Sequence, residues 1–554
     1  MSDSQSQPRK HFTLSNFLGH IKHHPPSSPI GEHEGIGLRS GSGSIGHSAS
    51  IDLQRTPSKR PSLINWLEKM ALTNEPKEYS PLMLGSPAIQ QNHRYFTNRV
   101  FSTKPGLATP PVSAPSSPKL SPHPLPNPQK ITKLIRCDAL INGKIVRDET
   151  LYIQGTKFVN AEDLFFAGFQ PDLIIDFGDD HEPNRKRPLI VPGFIDLQIN
   201  GYFGHDFADT HNLEDGLNQV AKGLLQYGVT AFLPTVVTSL PETYASVLPK
   251  IASQRGYKPG QAEILGAHCE GPFLNPSKKG AHNIDYIRAP KNGFADILEC
   301  YGPSIDTPAD EEAKKNGVIK IITLAPEQEG AQEAIREIKK RWGEEIVVSL
   351  GHMEATFEDT ENAVESGATM LTHLFNAMPP FHHRNPGPMG VLGFHHLPHE
   401  TKKPFYGLIT DGIHSSPSSV RVAYNAHPAG AVLVTDAMAG AGLEGDEFML
   451  GSMHVHRKGP MEVVISGTDT LAGSVATMPF CIKNMVEFTG CSLADAVNAA
   501  TIAPAKCICV YPKKGSLTEG SDADFVVLDG LDDLDQSVFT ISRVFVAGEE
   551  VWKK

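Results

Sequence analysis

Between residues 189 and 510 the chain repeats one pattern. A short, nearly unbroken apolar run ends in polar residues and gives way to a stretch with helical spacing. The apolar runs are PLIVPGFIDLQI, VTAFLPTVV, AEILGAHCE, VIKIITLAP, EIVVSLGH, ATMLTHLF, FYGLITDGIH and AVLVTDAM. Helical candidates such as AQEAIREIKKRWG and TFEDTENAVESG lie between them. Strands that are apolar along their whole length are buried on both faces, and alternation with helices makes their sheet parallel. Eight such units predict an α/β fold, a closed (β/α)8 barrel, with an open doubly wound sheet as the alternative.

The flanks read differently. KLIRCDALING and ETLYIQGTKFV are short β-type runs separated by a turn at Asn142-Gly143, and DADFVVLDG and TISRVFVAGEEVW near the other end resemble them. Residues 131–188 and 511–554 are therefore expected to form one small β-sandwich domain, with the barrel at 189–510 between them. Residues 1–130 hold 18 of the 44 prolines and lack apolar periodicity. Such a Ser/Pro-rich tail cannot bury enough surface to offset the entropy of ordering it, so disorder is expected. Within it, PSLINWLEKMAL (61–72) has the pattern of a short amphipathic helix for a partner. Ser/Thr-Pro pairs at Ser28, Thr56, Ser80, Ser86, Thr109, Ser117 and Ser121 read as sites of proline-directed phosphorylation or as a by-product of Ser/Pro-rich composition, and the tail as a whole as a place for regulatory partners.

Polar residues follow a rule within the central pattern: they stand at the C-terminal ends of the apolar runs. Gln198 and Asn200 end the first, His268 and Glu270 the third, and His352 the fifth. His373 and Asn376 end the sixth, Asp411 and His414 the seventh, and Asp436 the eighth. In a barrel these ends converge on one mouth, where active sites of this fold lie. Glu270, His352 and His373 would then offer one carboxylate and two imidazoles, a donor set that zinc uses where one position stays open for water. The neutral amides of Gln198 and Asn200 are weak donors to a transition metal. Asp436 reads either as a helix N-cap or as a general base beside activated water. His282, in NPSKKGAHN, reads as a loop residue that reaches the mouth or as a surface histidine. Arg384, in HHRNPGP, suits bidentate phosphate contact, although taken alone it reads first as a solvated loop arginine.

Composition narrows the class. The 554 residues are 39% hydrophobic, with no unbroken apolar run long enough for a membrane span. The tail carries 14 Lys and Arg against 7 Asp and Glu, and the rest of the chain 36 against 55. An acidic body argues against nucleic-acid binding. Seven cysteines without framework spacing, and no apolar h-region after the N-terminus, point to a reducing compartment, expected to be the cytoplasm.

Several of these segments carry a resemblance. PGFIDLQING, HCEGPFLNPSKKGAH, SLGHMEATF, THLFNAMPPFHHRNPG, ITDGIH, LVTDAMAGAG, TLAGS and GSLTEGSDADFVVLD resemble, in order, the N-acetylglucosamine-6-phosphate deacetylases of the amidohydrolase superfamily. The resemblance runs from about residue 131 to the end and implies a (β/α)8 barrel with a β-sandwich built from both flanks. It implies hydrolysis of the acetamide of N-acetyl-D-glucosamine 6-phosphate with one divalent ion per subunit. Zinc is the expected ion; iron, manganese and cobalt are admissible. It implies Glu270, His352 and His373 as metal ligands, Asp436 as the catalytic acid and base, and His282 as the residue that polarises the acetyl carbonyl. Ala281, Asn376, Ala377, Arg384, His414, Leu471, Ala472 and Gly473 match substrate contacts. Arg384 would reach the phosphate of a neighbouring subunit, which implies a homodimer. The competing readings are an amidohydrolase acting on a cyclic amide, which would want a His pair on strand one and a bridging carboxylated lysine, and a non-catalytic scaffold.

Overall fold

Asn142 and Gly143 both adopt positive φ, 50° and 78°, the conformation of a tight hairpin turn that suits the right-handed twist of its strands. The turn joins β1 (Ile131–Ile141) to β2 (Lys144–Gln154). In the computed structural model that contains it, residues 130–178, 186–394, 403–450, 453–532 and 535–554 are described. The expectations for the Ser/Pro-rich tail, including the 61–72 segment and the Ser/Thr-Pro pairs, lie outside the described residues. The architecture below belongs to the unit Ala114–Lys554.

Five strands before the barrel and three after it make one eight-stranded mixed sheet. After β1 and β2 come β3 (Lys157–Val159), α1 (Ala161–Phe166), β4 (Leu173–Asp176) and β5 (Leu189–Pro192). β5 pairs in parallel with β1 and antiparallel with Phe525–Asp529 of the C-terminal flank, so both ends of the region meet here. The run PLIVPGFIDLQI is thus two strands: Leu189–Pro192 in the flanking sheet and β6 (Phe194–Ile199) in the barrel. Phe525 and Phe545 stack with ring centroids 4.2 Å apart in the sheet's own core.

The barrel strands follow β6 as β7 (Val229–Val237), β8 (Glu263–Ile264), β9 (Ala267–Glu270), β10 (Ile319–Leu324), β11 (Val347–Leu350), β12 (Met370–Leu371), β13 (Phe405–Leu408) and β14 (Ala431–Leu433). All are parallel, in chain order around the barrel. β8 and β9 both pair with β7 and form one interrupted stave, which makes eight staves from nine strands. Parallel bridges from Ile199 to Ala437 and from Ala437 to Ser474 close the ring. Leu197, Leu233, Ile321, Val347 and Val432 fill its interior together with Ala505 and Cys507. Among the described residues no helix is long and apolar enough to cross a membrane.

A buried charge cluster fastens the two parts together. Lys514 Nζ lies 2.5 Å from Glu263 on β8, 2.9 Å from Asp522 and 2.6 Å from Asp524, beside the flanking sheet. Lys514 and Asp524 are buried, Glu263 and Asp522 half-buried, and the three carboxylates compensate the ammonium for the water it has lost.

Candidate active site

The strand ends do converge. Glu270, at the end of β9, His352, just past β11, and His373, just past β12, point three donor atoms at a common spot. Glu270 Oε1 is 3.1 Å from His352 Nε2 and 3.0 Å from His373 Nε2, and the two imidazole nitrogens are 3.0 Å apart. All three side chains are buried. His352, His373 and Asp436 have φ of 50°, 27° and 48°, and so do the nearby Phe375 and Ala377 at 78° and 51°. Left-handed backbone at a non-glycine residue costs about 1–2 kcal/mol, and several such residues at one mouth mark a place where aim outweighs local stability.

Tautomers can be read from the outer partners. His352 Nδ1 sits 2.8 Å from the carbonyl oxygen of Lys278, which can only accept, so Nδ1 carries the hydrogen and the Nε2 lone pair faces Glu270. That arrangement sets a lone pair against a carboxylate and is favourable when a cation lies between them. His282 is the opposite case. The Thr238 backbone N–H donates to its Nδ1 at 3.2 Å, so Nε2 holds the hydrogen. Its Nε2 stands 3.9 Å from Glu270 Oε1, inside a group with Glu270 and His352 whose donor atoms all lie within 4.8 Å of one another. His373 is closer to Glu270 than His282 is, and His373 Nδ1 has no hydrogen-bond partner.

Gln198 and Asn200 do something other than bind a metal. Gln198 Nε2 donates to Glu270 Oε1 at 3.1 Å and to Asp436 Oδ1 at 3.2 Å, and Asn200 Nδ2 donates to Asp436 Oδ1 at 2.7 Å. Amides where a His pair would stand therefore tie the two carboxylates together. A layer beneath the mouth was not legible in the sequence. Asp196 accepts from Thr435 Oγ1 at 2.6 Å and from Gln198 N and Thr435 N at 3.3 Å, linking the first stave to the residue before Asp436. His268 is spent structurally, between Leu197 O at 3.0 Å and Thr323 Oγ1 at 2.8 Å.

The burial of these groups sets their protonation. Burial, and then the charge of Glu270, pushes Asp436 up to about 7. Burial pushes Asp196 up to about 7 and takes His282 down to about 3 and His268 to about 4. Burial alone would raise Glu270, but the hydrogen bond and the charge of His373 override it and hold its carboxyl well below the usual range. An anionic Glu270 beside two imidazoles is the electrostatic environment a divalent cation requires.

Glu270, His282, His352, His373 and Asp436 line a cavity of about 480 Å³. Ala281 and His282 border it from one loop, Asn376 and Ala377 from another, His414 beside them, and Leu471 and Gly473 close one side. Ala472, fully buried, lies behind that wall. Asp411 Oδ2 holds His414 Nδ1 at 2.6 Å, which turns the other ring nitrogen away from Asp411. Arg384 is on an exposed segment and does not line the cavity of its own chain. Contributors from two places escaped the sequence reading. Lys278 lines the cavity while paired with Glu354 at 3.0 Å. Leu450 and Asp469 border it from a small three-stranded sheet, Glu447–Leu450, Met453–Arg457 and Val463–Ile465, and from the loop after it. The doubled Lys of PSKKG was the available signal for the first; the small sheet left none.

Comparison with known proteins is consistent with this geometry. The amidohydrolase family model matches residues 189–551. The chain is 40% identical over 428 residues to the N-acetylglucosamine-6-phosphate deacetylase of Danio rerio, covering 76% of this chain and 97% of that protein. It is 40% identical over 426 residues to that of Homo sapiens, covering 76% and 96%. Among solved structures, the N-acetylglucosamine-6-phosphate deacetylase of Thermotoga maritima superposes with a TM-score of 0.61 at 27% identity, covering 76% of this chain and all of that one. An aspartate-to-alanine variant of the Mycobacterium smegmatis enzyme, in complex with N-acetyl-D-glucosamine-6-phosphate, superposes with a TM-score of 0.61 at 28% identity, covering 76% and 99%.

Proposed function

The chain belongs to the amidohydrolase family, and from that premise we propose that it hydrolyses the acetamide of N-acetyl-D-glucosamine 6-phosphate to D-glucosamine 6-phosphate and acetate, a step of amino-sugar breakdown. The observation that carries this reading is the triangle of Glu270 Oε1, His352 Nε2 and His373 Nε2, with sides of 3.0–3.1 Å, joined to Asp436 through Gln198.

Glu270, His352 and His373 would hold one divalent ion, and their carboxylate and two imidazoles are the donor set of catalytic zinc sites; iron, manganese and cobalt suit the same donors. Such an ion, when bound, would supply Lewis acidity to the acetyl oxygen, would bring the pKa of a water from about 15.7 toward about 7 and would favour the ionised form of Asp436. Asp436 takes the proton of the attacking water as its oxygen bonds the acetyl carbon. The His282 Nε2–H donates to the acetyl oxygen as negative charge gathers there, and burial keeps that imidazole neutral. When the C–N bond breaks, Asp436 returns its proton to the nitrogen, so that glucosamine leaves as an amine and the acetyl carbon departs in acetate. Asn200 and Gln198 hold Asp436 still while it does this.

Asn376, Ala377, His414 and the Leu471–Gly473 wall are assigned to the sugar. Lys278 supplies a cation from within the cavity's own chain. Arg384, exposed and outside that cavity, is assigned to the phosphate bound by a second protomer, which makes the working unit a homodimer. Acetate release from N-acetyl-D-glucosamine 6-phosphate, run beside a cyclic amide substrate, tests the reaction. We expect turnover of the phosphorylated amino sugar alone; turnover of the cyclic amide instead, or of neither, would refute the proposal.

A further inference from the structure

The flanking sheet carries an apolar face that nothing in the described residues covers. In α1 only Leu164 turns into the core; Phe165 and Phe166 are 77% and 82% exposed, with their rings 5.6 Å apart. Phe169 is 54% exposed, and Leu173 and Ile174 on β4 are 41% and 53% exposed. Five large apolar side chains exposed within ten residues mark an interaction surface rather than ordinary scatter. β4 pairs with β1 and is the edge of the sheet at this point.

The polypeptide enters the described structure beside this face. Ile131 N donates to Asp172 Oδ2 at 2.7 Å, Asp172 N donates to Ile131 O at 2.8 Å, and Thr132 pairs with Leu173. The residues directly upstream, 114–129, read APSSPKLSPHPLPNPQ, with six prolines, Leu120 and Leu125. Proline-rich chain favours the polyproline II helix, and that helix binds where exposed aromatic rings form ridges for it. At about 3.1 Å per residue, sixteen residues reach about 50 Å, enough to double back over the face beside the neighbouring strand β4. Charge agrees: residues 160–176 include Glu162, Asp163, Asp172 and Asp176 and no Lys or Arg, whereas 114–129 has Lys119 and no acid.

We propose that the face formed by Phe165, Phe166, Phe169, Leu173 and Ile174 is the docking site for the chain's own proline-rich segment 114–129. Tethering supplies the affinity. A short linker holds the segment at an effective concentration of about millimolar, so a contact that would be weak between separate molecules is occupied.

Trypsin cleavage after Lys119 in the full chain tests this, timed against the same bond in a free synthetic peptide of residues 110–129. The docked segment is expected to be cut at least tenfold more slowly than the peptide. A Phe165→Ser/Phe166→Ser variant should be cut at the peptide's rate, and so should a Pro122→Ala/Pro124→Ala/Pro126→Ala variant, which leaves the folded body untouched. Equal rates in the unmodified chain and the peptide would overturn the proposal, as would protection that survives both variants. Sedimentation adds another outcome: a dimer that the Phe variant converts to monomer without exposing Lys119 would make this face a contact between copies, which also overturns it.

Discussion

The imidazoles of His282 and His352 stand edge to face, ring centroids 4.4 Å apart, and are locked in opposite tautomers. The Thr238 amide donates to one ring and the Lys278 carbonyl accepts from the other. A lone pair is thereby presented by His352 and a hydrogen by His282. Two neighbouring histidines acquire two jobs from their backbone partners. His352→Asn should cost the chain most of its bound metal, whereas His282→Asn should keep the metal and lose about 10²–10³-fold in kcat, the size of a lost oxyanion donor. Metal content by mass spectrometry beside acetate-release kinetics checks the split; equal metal loss in both variants would contradict it.

Asp436→Asn should abolish turnover while the metal stays bound. The amide cannot take a proton, yet Gln198 and Asn200 still surround it. Near-normal kcat in that variant would remove Asp436 from the reaction.

The phosphate lies far from the bond that breaks, so its partners should act mainly on KM. Arg384→Ala and Lys278→Ala are each expected to raise KM for the 6-phosphate about tenfold or more with a smaller change in kcat. With unphosphorylated N-acetylglucosamine as substrate, neither should matter. A loss that is the same for both sugars would mean that these cations do not read the phosphate.

Much of this site was legible from residues. The polar endings of the apolar runs named Glu270, His352, His373 and Asp436, because in a barrel the end of a strand is an address. The flanking sheet was legible as β-type runs at both ends. What failed were the features that depend on pairing. Leu189–Pro192 and Phe194–Ile199 look like one strand because both are fully buried, and only their different partners separate them. His268 resembled a site residue because strand-end position does not reveal which way a side chain turns. Asp196 was passed over inside an apolar run, although a carboxylate there has to be held by something.

Asp196 predicts a pH dependence of stability. Its folded-state value of about 7 lies above the about 3.9 of an unfolded chain. The folded state therefore binds more protons between these values, and stability falls as pH rises from about 4 to about 7, then levels off. Asp436, also near 7, contributes a slope of the same sign, so Asp196→Asn should reduce but not abolish the stability difference between urea titrations at pH 5 and pH 7. An unchanged slope would show that another group sets it.

Lys514→Met should leave the buried Asp524 and the half-buried Glu263 without their cation, while Asp522 keeps Lys157. Breaking such a cluster costs about 3–5 kcal/mol, which should appear as a lower urea midpoint. Because the cluster is remote from the mouth, kcat of the folded fraction should stay the same. A stability change under about 1 kcal/mol would mean that water already reaches these groups.

The metal requirement can be measured outright by stripping the full chain with a chelator and titrating zinc back while acetate release from N-acetyl-D-glucosamine 6-phosphate is followed. Activity should be absent at the start, rise in proportion to zinc and stop rising at one ion per chain. Full activity in the stripped protein, or a plateau only at two ions, would contradict a single cation held by Glu270, His352 and His373.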